Sequence, residues 1–289
     1  MHAAQSVGTL SVEPLSGVGA LVHGIDLREP LTKAQGAAIR AAVGEHCVLF
    51  FRDQALSPDE HIQFADAVGV INVNRFFATL DGYPTIAEVR KEPHQRSNQG
   101  GGWHTDQSYD TKPAMGSILY ARQVPASGGD TLFADMYKAY ETLSPGLQTA
   151  LKGLRAVHSS RHIFGPNAKR FADPNNDLKD RLKNADLAVQ DAIHPVVIRH
   201  PISGRSALYV NRAFTLHFDG WTVEESKPLL DFLYAHAVRP EHTTRFAWQP
   251  GSIAFWDNRA AWHYALNDYQ GQRRVMHRIT IEGETLSAA

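Results

Sequence analysis

The residues with the clearest chemical potential are Trp103-His104-Thr105-Asp106, which follow Gly100-Gly101-Gly102. In an extended segment, positions two apart project to the same face, so His104 and Asp106 would present an imidazole and a carboxylate together. Such a pair is two-thirds of a facial iron site and lacks only a second histidine. Alone it decides little, because the chain has 15 histidines and 30 acidic residues and a chance His-X-Asp is expected. An isolated example would be read as a hydrogen-bonded or solvated pair. The C-terminal stretch alters that reading. His263 offers the missing imidazole, and Arg274 and Arg278 follow it. As an extended segment, Arg274, Met276, Arg278 and Thr280 share one face, and Val275, His277, Ile279 and Ile281 share the other. Two arginines on one face of an apolar strand are costly unless each meets an anion. Core carboxylates such as Asp257 or Asp268 could serve for one of them, less easily for both.

The elements that must position these groups read mostly as strands. Residues 8–30 alternate loosely as short strands, His46 to Arg52 as a buried strand, and Thr85 to Arg90 as a strand within a long polar stretch. Gly116 to Val124, Thr131 to Phe133, Thr244 to Trp248, Ser252 to Trp256 and Arg274 to Glu282 supply the functional half. His194 to His200 and Ala207 to Val210 form a hairpin about Ser203-Gly204-Arg205. Capping patterns at Thr32, Ser57 and Thr222 open helices to about Val43, Val68 and Ala237, and Pro228 should kink the last or delay its start. Short helices are expected after Met136 and Pro145. The pattern fits one domain over residues 1–289, mostly β with flanking helices: a double-stranded β-helix, or jelly roll. Polar stretches near 70–102 and 158–193 read as lid insertions.

Composition excludes several classes. A formal charge of −1 gives no basis for an electrostatic nucleic-acid or membrane partner. No apolar run approaches the ~20 residues that span a bilayer, and the first 25 residues show no signal-peptide pattern. The lone cysteine, Cys47, sits in an apolar run, excludes an intrachain disulfide and suits a reducing, cytoplasmic compartment.

Taken together, Trp103 to Asp106, Gly128-Gly129-Asp130-Thr131, Trp256-Asp257-Asn258-Arg259 with His263, and Arg274 to Arg278 resemble the TauD/TfdA family. These are the taurine dioxygenase and phenoxyacetate dioxygenase-like enzymes dependent on iron(II) and 2-oxoglutarate. The resemblance extends from Asp26-Leu27-Arg28 to the last strand. It implies His104, Asp106 and His263 as iron ligands, Thr131 and Arg274 as partners of the distal carboxylate of 2-oxoglutarate, and Arg278 as the partner of an acidic group on the substrate. A guanidinium pairs with a carboxylate through two parallel hydrogen bonds, and a facial triad leaves three positions for a keto acid and O2. Halogenating relatives lack the carboxylate, so Asp106 implies hydroxylation, with succinate and CO2 released. If the hydroxylated carbon bears a heteroatom, the carbon–heteroatom bond then breaks.

The loop Val73-Asn74-Arg75-Phe76-Phe77 replaces the taurine enzyme's histidine and proline-tyrosine chemistry, and Ser159-Ser160 follow His158, the remaining histidine best placed to line a pocket. Asn74, Phe76 and Phe77 are therefore the expected substrate contacts, with packing inside the lid as the alternative for the two phenylalanines. The expected substrate is a small organic anion of the aryloxyalkanoate, alkyl sulfate or sulfonate class. Taurine itself, a non-catalytic jelly-roll binding protein, and a zinc hydrolase using the same three ligands are the alternatives. Relatives of this kind are commonly homo-oligomers, dimers or tetramers.

Overall fold

The computed structural model describes residues 5–7, 10–169, 177 and 181–289. The chain opens with β1 (Gln5–Val7), β2 (Leu10–Pro14) and β3 (Ala20–His23), then α1 (Lys33–His46), β4 (Val48–Phe51) and α2 (Pro58–Val68). Short β5 (Ile71–Asn72) and β6 (Thr79–Leu80) precede β7 (Tyr83–Lys91) and β8 (Gly116–Gln123). Next come β9 (Thr131–Asp135), α3 (Met136–Glu141), α4 (Pro145–Leu151), β10 (Arg155–Ser159) and α5 (Arg161–Phe164). β11 (Asp191–Pro195), β12 (Val197–Arg199), β13 (Ser206–Leu208) and β14 (Thr215–Phe218) lead to the helix Val223–Ala237. The chain ends with β15 (Thr243–Phe246), β16 (Ile253–Asp257), β17 (Ala261–Ala265), β18 (Arg274–Ile281) and β19 (Ser287–Ala288).

The major sheet runs β1-β2-β3-β4-β16-β8-β18-β7-β6, with β5 also paired to β18. Among the described residues, only its β3–β4 pairing is parallel. A smaller sheet, β15-β9-β17, faces it. Side-chain alternation sends each central strand into two cores. In β16, Ala254 and Trp256 meet Phe133 and Trp262 between the sheets, while Ile253 and Phe255 meet Ile39, Val43 and Phe64 of α1 and α2 outside. β18 divides likewise, with Met276 inward and Ile279 and Ile281 outward. A strand buried on both faces must be apolar nearly throughout, which is why the sequence of β4 is Val-Leu-Phe-Phe. This is the jelly roll with flanking helices that the pattern implied.

The capping boxes at Thr32/Gln35, Ser57/Glu60 and Thr222/Glu225 all form, and each satisfies otherwise orphaned N–H groups. Pro228 does not delay its helix, which starts at Val223 and continues through it, anchored by the complete capping box and by Ser226 Oγ donating to the Thr222 carbonyl. The polar stretch near 70–102 holds three strands, where a single one was expected. β5 and β6 are short edge pairs held by their neighbours β18 and β7. Of the expected excursion near 158–193, residues 170–176 and 178–180 lie outside the described residues. Among the described residues, no helix is long and apolar enough to cross a membrane.

Two histidines lie beneath the outer helices. His61 of α2 is fully buried against the Tyr120 ring, with neither ring nitrogen hydrogen-bonded. Burial, with help from His277 and Arg122, pushes it from 6.5 down to about 3. Burial and Arg122 push His277 down to about 4. Above pH 6.5 both rings are neutral in folded and unfolded chains, and the associated stability is fully present. As the pH falls from 6.5 toward 3, the unfolded chain takes up protons that the folded one refuses. The His61 share of that loss is about 2 kcal/mol by pH 5. Urea unfolding at pH 7.5 and pH 5 should therefore show a smaller loss in His61→Leu than in the unaltered protein.

Candidate active site

His263 lies on β17, paired with Phe133 of β9, on the smaller sheet. His104 is not on a regular strand, contrary to the simplest extended reading. It forms one isolated bridge to His263: its N–H donates to the His263 carbonyl at 3.1 Å, and its carbonyl accepts from the His263 N–H at 2.8 Å. The segment turns away immediately afterwards, because Gln107 adopts a left-handed φ of 54°. That single bridge brings the two imidazoles together, with ring centroids 4.1 Å apart. Asp106 Oδ1 stands 3.9 Å from His104 Nε2 and 4.0 Å from His263 Nε2. The three ligand-type atoms all lie within 4.8 Å of one another. Two atoms each about 2.1 Å from one ion are at most about 4.2 Å apart, so small side-chain adjustments suffice to close on a metal.

The donor set fits a divalent metal in its protonation as well. His104 Nδ1 lies 2.8 Å from the Gly102 carbonyl, which can only accept, so the proton sits on Nδ1 and Nε2 presents its lone pair. Burial lowers both imidazoles and favours the neutral, ligating form. Burial by itself would raise Asp106, but Arg278, His263 and His104 outweigh it and hold its carboxyl well below the usual range. Ser117 Oγ donates to Asp106 Oδ2 at 2.8 Å, which leaves Oδ1 toward the histidines. Asn258 fixes that arrangement from behind. Its amide nitrogen donates to Ser117 Oγ at 3.3 Å, and its oxygen accepts from Trp256 Nε1 at 2.8 Å and from the Asp106 N–H at 3.3 Å.

Beside the triad, a cavity of about 540 Å³ opens between the sheets. Arg274 and Arg278 of β18 both line it, as their shared strand face implies. Arg274 is 4% exposed, and its Nε and Nη2 have no hydrogen-bond partner. Burial lowers its pKa, the sign of a charge awaiting an anion. Thr131, at the start of β9, accepts from Trp248 Nε1 at 2.9 Å and so keeps its own hydroxyl proton to donate. Gly128 and Gly129 carry the chain past Arg274 with φ of 77° and 72°, and a Cβ on Gly128 would sit 2.7 Å from Asp268 Oδ1. Arg278 Nη1 reaches Asp106 at 3.3 Å, while its Nε and Nη2 are buried and unpartnered. Asp257 does not serve either arginine. It is taken by Arg259 and His200 in a fully buried triad.

The expected substrate contacts divide. Asn74 and Phe77 line the cavity, and the Phe77 ring lies 4.4 Å under the Arg278 guanidinium. Phe76 does not line it. It is 0% exposed and stacks on Phe164 at 4.5 Å, behind the wall, because its backbone is drawn inward by the Asn74 side chain and by Lys183. His158, Ser159 and Ser160 are buried away from the cavity as well. His158 bonds to Ser108 and Thr215, and Ser159 accepts from the Arg161 N–H. The apolar wall is built by residues that sequence reasoning missed: Tyr109, Ile163, Phe164, Leu182 and Phe214. Lone aromatics within polar stretches were the available signal.

The model for the family described as "Taurine catabolism dioxygenase TauD, TfdA family" matches residues 11–280. The chain belongs to this family. It is 36% identical to an alpha-ketoglutarate-dependent sulfate ester dioxygenase of Pseudomonas putida, over 95% of this chain and 90% of that protein. Identity to an alpha-ketoglutarate-dependent 2,4-dichlorophenoxyacetate dioxygenase of Cupriavidus pinatubonensis is 35%, over 95% and 97% of the two chains. The solved structure of a taurine dioxygenase from Burkholderia xenovorans superposes with a TM-score of 0.80 at 34% identity, covering 97% of this chain and 93% of that one. As a TauD/TfdA member the protein is an iron(II)- and 2-oxoglutarate-dependent dioxygenase that uses O2.

The Asn258 side chain joins three groups of the site, so its removal should register twice. Asn258→Ala leaves Ser117 and the Trp256 indole short of a partner and should cost roughly 1–3 kcal/mol in chemical denaturation. It should also weaken iron(II) binding measured by calorimetry, through a less constrained Asp106.

Proposed function

We propose that His104, Asp106 and His263 hold the iron, that Arg274 with Thr131 takes the distal carboxylate of 2-oxoglutarate, and that Arg278 takes the anionic group of a small organic substrate. The observation that carries this reading is the pair of buried, half-unpartnered guanidiniums beside the triad. A buried cation without a counter-charge costs several kcal/mol, and each bound anion removes that cost. The formal charges agree. Apart from Arg96 at the exposed rim, the charged side chains of the cavity among the described residues are Asp106, Arg274 and Arg278, which sum to +1. A ferrous ion raises this to +3, and 2-oxoglutarate at −2 leaves room for a monoanion.

With O2, the bound iron and 2-oxoglutarate supply the oxidising power that hydroxylates a substrate carbon, releasing succinate and CO2. This chain's residues do the positioning. Arg278 holds the anionic end beside Asp106, and the wall of Phe77, Ile163, Phe164, Leu182 and Phe214 receives an apolar body and keeps water out. The described residues of the segments near 70–102 and 158–193 act as lids over that body. Phe77 and Leu182 pair across them, and Lys183 N–H donates to the Phe76 carbonyl at 2.9 Å. The substrate is an alkyl sulfate, alkyl sulfonate or aryloxyalkanoate, oxidised next to its heteroatom with cleavage of that bond. The relatives named for sulfate esters and for 2,4-dichlorophenoxyacetate support this choice over taurine, whose short polar amine would leave the aromatic wall unused.

Substrate-dependent succinate formation across alkyl sulfates, alkyl sulfonates, phenoxyacetates, phenoxypropionates and taurine, with uncoupled 2-oxoglutarate decay subtracted, tests the class. A clear preference for taurine would overturn it. Replacing any one of His104, Asp106 or His263 by alanine should abolish succinate formation and leave the circular dichroism unchanged. Arg274→Ala should raise the KM for 2-oxoglutarate, and Arg278→Ala the KM for the organic anion, each by about one to two decades. The two effects exchanged would reverse the arginine assignments.

A further inference from the structure

The Tyr109 hydroxyl is the one polar group on the aromatic wall that nothing above employs. Tyr109 lines the cavity, is only 2% exposed, and its hydroxyl has no hydrogen-bond partner among the described residues. The ring has little freedom. Phe214 meets it edge-on at 4.9 Å, Phe76 and Phe164 each at 5.9 Å, and the Arg75 guanidinium lies over it at 5.4 Å. Arg75 is in turn clamped to Asp110 by bonds of 2.6 and 3.1 Å. Burial and then Asp110 raise the Tyr109 phenol, and the charges of Asp106 and Arg278 act on it too, so it is a neutral donor within the field of the triad. A fixed donor that faces the cavity without a protein partner gains a bond when the ligand supplies an acceptor.

The geometry of Arg278 indicates which acceptor. Its Nη1 is committed to Asp106, which leaves the lateral edge formed by Nε and Nη2. That edge offers two parallel donors in one plane. A planar carboxylate has two oxygens and is satisfied by the edge alone. The head of a sulfate monoester or sulfonate has three terminal oxygens on a tetrahedron, and the third points out of the guanidinium plane. We propose that Tyr109 donates to this third oxygen, acting with Arg278, and thereby makes the site selective for tetrahedral sulfur oxyanions over carboxylates of similar bulk. Among the classes named above, this singles out alkyl sulfates and sulfonates. It rests on the assignment of Arg278 to the substrate's anionic group.

The test compares Tyr109→Phe, which removes only the oxygen, with the unaltered protein and with Arg278→Ala. Each is loaded anaerobically with iron(II) and 2-oxoglutarate and titrated calorimetrically with hexyl sulfate and with phenoxyacetate. Tyr109→Phe should weaken hexyl sulfate about ten- to hundredfold, change phenoxyacetate less than about threefold, and leave 2-oxoglutarate binding and thermal stability unchanged. Equal weakening of both probes, or of neither, overturns the role of Tyr109, and so does a loss of thermal stability that accounts for the change. Arg278→Ala should weaken both probes. If it spares both, the assignment of Arg278 fails, whereas loss of both there with an unselective Tyr109→Phe defeats the Tyr109 proposal alone. An unaltered protein that binds neither probe overturns both.

Discussion

An ionised carboxylate kept in a dry place is the constraint on which this molecule depends. Asp106 is 8% exposed, and only its surroundings make a charge tolerable there. Ser117 takes one oxygen, Arg278 balances the charge, and two neutral imidazoles face the other oxygen. Asn258 holds Ser117 and the Asp106 backbone in one network. Each partner comes from a different strand or turn, so the carboxylate can be in place only when both sheets are. Folding and site assembly are thereby the same event.

The jelly roll meets this requirement by dividing labour between its sheets. The larger sheet is buried on both faces, with helices outside and the smaller sheet inside, which makes β18 a rigid rail for two arginines. The smaller sheet brings His263, and a single backbone bridge ties His104 to it. A regular strand at His104 would have carried the chain onward along the sheet. The turn at Gln107 instead sends it across the cavity, where Tyr109 joins the aromatic wall and Asp110 holds Arg75. One left-handed residue thus separates the polar from the apolar half of the site.

Polarity within the cavity is correspondingly graded. Arg274, Thr131 and Trp248 form one charged recess, and Arg278 forms a second at the foot of the Phe77 ring. Beyond it the wall is mostly carbon drawn from several stretches of chain, two of them joined by the Phe77–Leu182 pairing. A ligand with a charged head and an apolar body matches this gradient, whereas one that is polar at both ends leaves aromatic surface against water.

The sequence by itself determined the family, the jelly-roll class, the strand face shared by Arg274 and Arg278, and the convergence of His104, Asp106 and His263. Ligand types at ordered spacings and two-residue alternation are local signals that survive without coordinates. It could not determine which loop residues reach the cavity. Phe76 and Phe77 are neighbours with the same side chain, yet Phe76 packs into the aromatic cluster while Phe77 lies under Arg278. His158 had the residue type of a pocket group and went to a buried network instead. The roles of Ser117, Asn258, Tyr109 and Phe214 arose only from contacts between residues far apart in the chain. In irregular segments no periodicity ties a position to a face, so the choice passes to tertiary packing and to hydrogen bonds made with distant strands.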